Sequence, residues 1–139
     1  MKNLRLVCSH VGLTCMVLAL GLSASSCSDN TAPLAAFEPE VSKVADSFSL
    51  QATGVTNVTA TVSHAWSNSG TRATINHSTT TTSGSAVLVI KDDAGTTVYN
   101  KALVPSLNEP TEIGVAGDWT IEVSLTRYSG TLNVLAQKL

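Results

Sequence analysis

Aromatic and charged side chains are both scarce in this sequence of 139 residues, at 4% and 13% of the total. Its eight basic residues do not outnumber the ten acidic ones, and the formal net charge is −2. Because there is no basic excess to neutralise a phosphate backbone, nucleic acid is not an expected partner. The apolar content of 43% and the low net charge also exclude a typical disordered polymer.

Small hydroxyl side chains are abundant instead, with 18 Thr and 17 Ser, and Val contributes another 15 residues. Val and Thr favour strands over helices, and hydroxyl groups suit the solvent-facing side of a sheet. The length supports one ordinary domain and little more. Composition alone therefore predicts a single domain built from strands.

The first 26 residues have the parts of a secretory signal peptide. Lys2 and Arg5 give a basic start, an apolar run covers Val11 to Leu22, and small residues follow at 23–26. The apolar run is shorter than the roughly 20 residues that span a bilayer, so a permanent transmembrane helix is the weaker alternative. We expect residues 1–26 to be an export signal.

The segment that ends the signal, Leu22-Ser23-Ala24-Ser25-Ser26-Cys27, resembles the lipobox of bacterial lipoproteins. The resemblance implies cleavage before Cys27 and acylation of that residue, palmitate included. It departs from the usual pattern at Ala24, where Leu is most common. The alternative is an ordinary secretory cleavage that leaves Cys27 as a free thiol. The other two cysteines lie inside the predicted signal, so no disulfide is expected in the exported chain.

These features predict a location in the cell envelope, with the lipid bilayer as a partner through Cys27. Ser28, and not Asp, follows the cysteine, which favours the outer membrane if the organism has one. Without residues 1–26, six basic and ten acidic residues remain, and the net charge becomes −4. We expect residues 27–42, with Pro33 and Pro39, to form the acylated cysteine and a flexible tether, and residues 43–139 to form the domain.

Alternation of apolar and polar residues predicts about eight short strands and no helix in the domain. The apolar run at 86–90 is typical of a central strand, and the row Trp119, Ile121, Val123 and Leu125 is expected to face the core. The predicted strands lie at about 44–53, 58–66, 73–77, 86–90, 96–104, 113–115, 119–126 and 131–136. The predicted fold is an all-β, antiparallel β-sandwich or jelly-roll-like domain.

Three motifs lie in the stretch from Gly84 to Gln137. They are an apolar strand that ends in Asp-x-x-Gly at Asp92 and Gly95, a Gly-x-Trp-Thr-Ile-x-Val strand at Gly117 to Val123, and a Tyr-Ser-Gly turn at 128–130. In these motifs the stretch resembles the bacterial pre-peptidase C-terminal domain and related accessory sandwiches. This resemblance implies a non-catalytic extracytoplasmic module.

Catalytic chemistry is not expected. Nucleophilic catalysis needs a nucleophile, a base and an orienting acid in contact. Serines are plentiful and two histidines, His64 and His77, lie outside the signal, but no Ser occupies a Gly-x-Ser-x-Gly elbow. We therefore predict no enzymatic activity and no cofactor.

Two sets of residues are candidate metal ligands. If the strands that flank Asn68-Ser69-Gly70 form a hairpin, His64 lies opposite His77, at a spacing that suits Zn²⁺ or Cu²⁺ with a third ligand. The alternative is that each imidazole is a hydrogen-bonded, half-buried group. Asp92, Asp93 and Asp118 lie in predicted turns, where carboxylates can hold Ca²⁺, although turn formation alone also explains them.

A sugar-binding sandwich needs exposed aromatic rings, and the candidates are Trp66, Tyr99 and Tyr128. Trp119 begins an inward-facing row and is expected in the core. The sequence thus favours an envelope-anchored lipoprotein with a structural or interaction role, and an envelope protein or a glycan as its partner. The alternative is a carbohydrate- or cation-binding module at the cell surface.

Overall fold

A computed structural model describes residues 33–139, and the signal segment and Cys27 lie outside these described residues. The described chain contains one short 3-10 helix and seven strands. The helix is Leu34–Phe37, and the strands are β1 (Glu40–Val44), β2 (Ser47–Asn68), β3 (Ala73–His77), β4 (Thr80–Lys91), β5 (Thr97–Ala102), β6 (Leu107–Pro110) and β7 (Gly117–Lys138). Within residues 33–139 no helix has the length and the apolar character needed to cross a bilayer.

The seven strands form one antiparallel sheet that is not closed, which confirms the predicted all-β, sandwich-like fold. Two strands are much longer than predicted, since β2 and β7 each have 22 residues. They pair along their whole lengths, from Ser47 opposite Gln137 to Asn68 opposite Gly117. Each of them joins two of the predicted strands. The structure also lacks the strand predicted at 113–115 and adds β1 and β6, so seven strands replace the predicted eight.

Irregularities in both long strands replace the turns that the sequence suggested. The β2–β7 register shifts three times between Ala52 and Ala60, and Asn57 and Arg127 have positive φ angles of 50° and 47°. Gly130 lies at the same bend with φ 148°, and a Cβ atom there would lie 2.0 Å from the Thr80 carbonyl oxygen. Bulges of this kind bend a strand without ending its pairing.

Because β2 and β7 bend, each contributes to both layers of the domain. The first layer contains β1, β3 and β6 with residues 47–52 and 132–138, and the second contains β4 and β5 with residues 58–68 and 117–126. Phe48 and His64, from the two halves of β2, contact each other across the interior with ring centroids 5.6 Å apart. The Asp46 N–H also donates to the Ser67 carbonyl at 2.9 Å, so the start of β2 meets its end.

The core lies between these layers. The predicted inward row of β7 is buried, as are Leu132, Val134 and Ala136 farther along the strand. In β4, Ala86, Leu88 and Ile90 are buried, and the alternate residues 87 and 89 are half-buried. The strand lies between β5 and β7. The predictions of a β7 core row and of a central strand at 86–90 are therefore confirmed.

Ordered structure begins earlier than the predicted domain boundary at residue 43. Leu34 is buried in the core and Phe37 packs against it. Glu40–Val44, expected within the tether, forms β1 and pairs with the start of β2. The prediction missed this strand because two prolines and three acidic residues at 29–40 obscure its alternation.

Two further local predictions were wrong. Ile113 and Val115 were expected in a short strand, but they lie in an irregular loop with both side chains exposed. The segment bracketed by Pro105 and Pro110 was expected to be a loop and contains β6, which pairs with β3. A strand of four residues is too short for alternation to reveal it.

Candidate functional site

Cys27, the predicted acylation site, lies outside the described residues. The structure describes the chain from residue 33 onward. Only six residues separate Cys27 from Leu34, the first side chain of the core. At about 3.3–3.6 Å per extended residue, the seven steps from Cys27 to Leu34 span about 25 Å at most.

His64 and His77 do not face each other, so the predicted histidine pair is wrong. His64 lies opposite Ile121 in the β2–β7 ladder, whereas His77 lies opposite Val134 of β7 and Leu107 of β6. The reason is that the connection after Asn68 crosses from one layer to the other, so β2 and β3 do not form a hairpin. Neighbours in sequence thus pair with partners that are far away along the chain.

Each histidine has its own environment. His64 packs against the Phe48 ring, and its pKa is lowered mainly by burial and further by the positive charge of Lys43. Burial also lowers the pKa of His77, while the Leu103 backbone and the Glu109 carboxylate act in the opposite direction. Both imidazoles are therefore stabilised in the neutral form.

The polar surroundings of His77 form the most distinctive cluster in the described domain. Four residues from three strands meet there, and we call them the β5–β6 cluster: His77, Tyr99, Lys101 and Glu109. Neither ring nitrogen of His77 nor the Tyr99 hydroxyl has a partner at good hydrogen-bonding geometry, although the Leu103 backbone lies near His77 and the Glu109 carboxylate lies beside Tyr99. Lys101 Nζ lies 3.2 Å from Glu109 Oε1. Buried polar atoms are normally satisfied, so this cluster suits a water molecule or a small polar ligand.

Within the β5–β6 cluster, Glu109 is stabilised as a carboxylate and Tyr99 as a neutral phenol. The Lys101 ammonium holds the pKa of Glu109 below its usual value. Burial raises the pKa of Tyr99 strongly, and the adjacent Glu109 carboxylate adds to the effect. The phenol therefore stays protonated and offers a donor, while Glu109 offers acceptors.

A groove of about 260 Å³ opens onto this cluster between β5 and β6, where the two layers are not joined by a strand pair. Its lining is predominantly polar. The lining residues are Thr97, Val98, Tyr99, Asn100, Lys101, Glu109, Pro110 and Glu112. The groove is below the usual range for drug-sized ligands, about 300–1,000 Å³, and suits a small molecule or ion.

The three predicted turn aspartates are brought close together, but the carboxylates of Asp92 and Asp93 are engaged by the backbone. Asp92 is buried and accepts hydrogen bonds from the Thr96 N–H at 2.7 Å and the Val115 N–H at 2.8 Å. Asp93 accepts one from the Asp118 N–H at 3.0 Å. Within the described residues, no three His, Cys, Asp or Glu side chains form a group able to hold a metal ion. The carboxylates of Asp92 and Asp93 join the turn after β4 to the start of β7.

The aromatic platform predicted for sugar binding does not form at the surface. Trp66, Tyr99 and Tyr128 are only 2%, 5% and 0% exposed. Trp66 stacks edge-on against Trp119 with centroids 5.9 Å apart. The Tyr128 hydroxyl lies within hydrogen-bonding distance of the Thr80 and Thr131 carbonyls, at 3.1 and 3.0 Å. All three side chains belong to the core, and none of them offers an exposed ring for a sugar to stack on.

Sequence reasoning missed Lys101 and Glu109 as members of a polar cluster. The available signal was the alternation of Tyr99 and Lys101 on one strand, together with an acidic residue just before Pro110. Their contact across the gap between two layers cannot be read from local spacing. No protein-family model matches the chain, and no curated protein and no solved structure is significantly similar to it.

Proposed function

We propose that this chain is an extracytoplasmic lipoprotein, anchored by acylated Cys27, whose non-catalytic β-sandwich has a structural or interaction role. The observation that carries the proposal is the lipobox-like segment that ends at Cys27, with a folded domain starting seven residues later at Leu34. Acyl chains on Cys27 would hold the domain within about 25 Å of the bilayer surface.

An interaction role is supported by exposed apolar side chains at one end of the sandwich. Val44 is 59% and Val115 51% exposed, and their carbonyl oxygens accept hydrogen bonds from the two stacked tryptophans, Trp66 and Trp119. Ile113, in the same loop as Val115, is 74% exposed. Grouped apolar side chains on a soluble surface are typical of contact sites.

The anchor is tested by metabolic labelling with radioactive palmitate. The wild-type chain should carry label and Cys27→Ala should not, because only Cys27 would receive acyl chains. Cys8→Ala and Cys15→Ala are matched controls that should keep the label, since both residues lie in the predicted signal. Label in the Cys27→Ala chain, or none in the wild type, would contradict the proposal.

A second candidate function is binding of a small polar ligand or cation in the groove between β5 and β6. It is favoured by the buried Tyr99 hydroxyl and the Glu109 carboxylate, which line this groove together with Lys101. A thermal-shift panel of monosaccharides, Ca²⁺ and Zn²⁺ tests it. A ligand that stabilises the wild type and not Glu109→Gln would support this site, and a flat response to the panel would exclude those ligands.

A further inference from the structure

The second half of β2 has a neighbouring strand on one side only. β7 pairs with it in unbroken register from Ala60 to Asn68, whereas β1 pairs with β2 only as far as Gln51. In the described chain β2 has no other pairing partner. Near its end the strand meets the turn after β1, because the Ser67 carbonyl accepts a hydrogen bond from the Asp46 N–H. Residues 60–66, which we call the β2 edge, are therefore regular and open.

Backbone hydrogen-bonding groups of the β2 edge point outward at alternate residues. The Ser67 carbonyl accepts a hydrogen bond from the Asp46 N–H, so it points away from β7. Asp118, which lies opposite Ser67 in the ladder, donates its N–H to the Asp93 carboxylate and so points away from β2. In an antiparallel ladder, alternate residues bond to opposite sides. Odd-numbered residues of this edge therefore direct their N–H and C=O groups away from β7. They are Thr61, Ser63 and Ala65, whose side chains are also exposed.

Charge distinguishes the β2 edge from the other sheet edges. All 22 residues of β2 lack Asp, Glu, Lys and Arg. The other outer strands carry the charged or proline residues that block strand addition. These residues are Glu40 and Lys43 in β1, Lys101 in β5, and Glu109 and Pro110 in β6. The start of β4 is also uncovered, but two register shifts interrupt it between Thr81 and Ser85.

We propose that two copies of this chain associate through antiparallel pairing of their β2 edges, around a twofold axis near Ser63. A second copy suits this edge because the two paired strands themselves carry no charged side chain, although each domain has a negative net charge. Thr61 of one copy lies opposite Ala65 of the other, and Ser63 lies opposite its own copy. Identical patches of this kind are the normal basis of closed dimers, and cross-strand hydroxyl pairs stabilise sheets.

Side chains on the inner face of the edge support the same arrangement. Ala60 and Val62 are only half-buried, and so is Val41 of β1 in the opposite layer. They border the opening between β1 and the β2 edge. A strand from a second copy would extend the second layer across this opening and cover them, so apolar burial adds to the backbone hydrogen bonds.

One charge opposes the pairing. Lys43 of β1 lies close enough to the edge for its charge to lower the pKa of His64, after the larger effect of burial. The two Lys43 side chains of a dimer would repel each other. We therefore expect a dimer that is concentration-dependent and that Lys43→Gln strengthens.

Thiol crosslinking in cells that express the full chain tests the arrangement. A cell-permeable bismaleimide should convert Ala65→Cys and Ser63→Cys chains into dimers. Asn100→Cys is the matched control, because Asn100 is exposed on β5, at the opposite edge of the same layer. The wild-type chain reports any background from its own cysteines. Equal dimer yields at 65 and 100, or no dimer above background at 65, would overturn the proposal.

A charge pair makes the test specific to this edge. In the Ala65→Cys chain, Ser63→Lys and Ser63→Glu should each reduce the dimer yield several-fold, and co-expression of the two should restore it. Ser63→Thr is the fold control and should keep the yield. Recovery in the mixture cannot arise from misfolded chains. A yield that the charges leave unchanged would place the contact elsewhere and refute the proposal. Palmitate labelling reads out the lipid anchor separately, so either hypothesis can fail without the other.

Discussion

Replacement of Asp92 by Ala is expected to destabilise the fold far more than any other change to a turn aspartate. The buried Asp92 carboxylate accepts two backbone hydrogen bonds, at 2.7 and 2.8 Å, and joins the end of β4 to the loop before β7. Hydrogen bonds to a charged group contribute about 1.5–3 kcal/mol each, so full loss of both gives about 3–6 kcal/mol. Water can reach the freed N–H groups because Thr96 and Val115 are exposed, and we expect a value near 3 kcal/mol, at the lower end of that range.

Urea unfolding measures this loss. With a slope of about 1.5 kcal/mol per molar, the unfolding midpoint of Asp92→Ala should fall by about 2 M. Asp93→Ala is the matched control, since Asp93 is exposed and accepts one bond, from the Asp118 N–H. Its loss should stay below about 1 kcal/mol. A midpoint shift under about 0.5 M for Asp92→Ala would refute the reasoning.

Calcium separates the structural role of Asp92 from the metal-binding hypothesis. If Asp92 holds the turn only through its backbone bonds, saturating Ca²⁺ changes neither the wild-type midpoint nor the loss in Asp92→Ala. If the carboxylate is a Ca²⁺ ligand, the ion raises the wild-type midpoint alone, because it binds only the folded wild-type protein.

Three further changes test other parts of the structure. The pKa of His77 lies below 6.5 in the folded protein, so protonation of this imidazole favours the unfolded chain. The neutral imidazole therefore gives its full stabilisation above pH 6.5, and this is lost as the pH falls below that value. Melting curves should show a weaker acid dependence in His77→Gln. Leu34→Ala should lower the free energy of unfolding, measured in urea, by about 2–5 kcal/mol. A change near zero would show that Leu34 is part of the tether and not of the core. Gly84→Ala places a Cβ 2.3 Å from the Arg127 carbonyl oxygen, so its melting temperature should fall well below that of Gly95→Ala, which has equally positive φ but open space.

Alternation along the chain predicted which side chains enter the core wherever a strand is regular. The β7 row from Trp119 to Leu125 and the apolar run at 86–90 were placed correctly, because burial of one face imposes a period of two whatever the partner strand is. The turn at Asp92 to Gly95 was also predicted correctly, and the Gly95 N–H donates to the Asp92 carbonyl at 2.9 Å. These are local properties, and local sequence is sufficient for them.

Strand pairing could not be predicted in the same way. Gly54 and the Tyr128–Gly130 segment have turn-forming sequences, yet they lie in strands that bend and continue. Whether such residues end a strand depends on whether a neighbour keeps pairing beyond them, and here β2 and β7 continue to pair with each other on both sides of the bend. The same limitation produced the wrong His64–His77 pair, because adjacent strands were assumed to form a hairpin.

The sequence by itself determined that the domain consists of strands and which residues of the regular strands face inward, because composition and short-range periodicity carry that information. The export and acylation signal at residues 1–27 is a prediction from the same sequence. The tertiary structure alone decided that Asp92 bonds to the backbone of Val115, that His77, Tyr99 and Glu109 share one polar cluster, and that one charge-free edge of β2 stays open. These features depend on which strands pair, such as β4 with β7 and β3 with β6, and no local pattern specifies pairing between residues that are far apart in the chain.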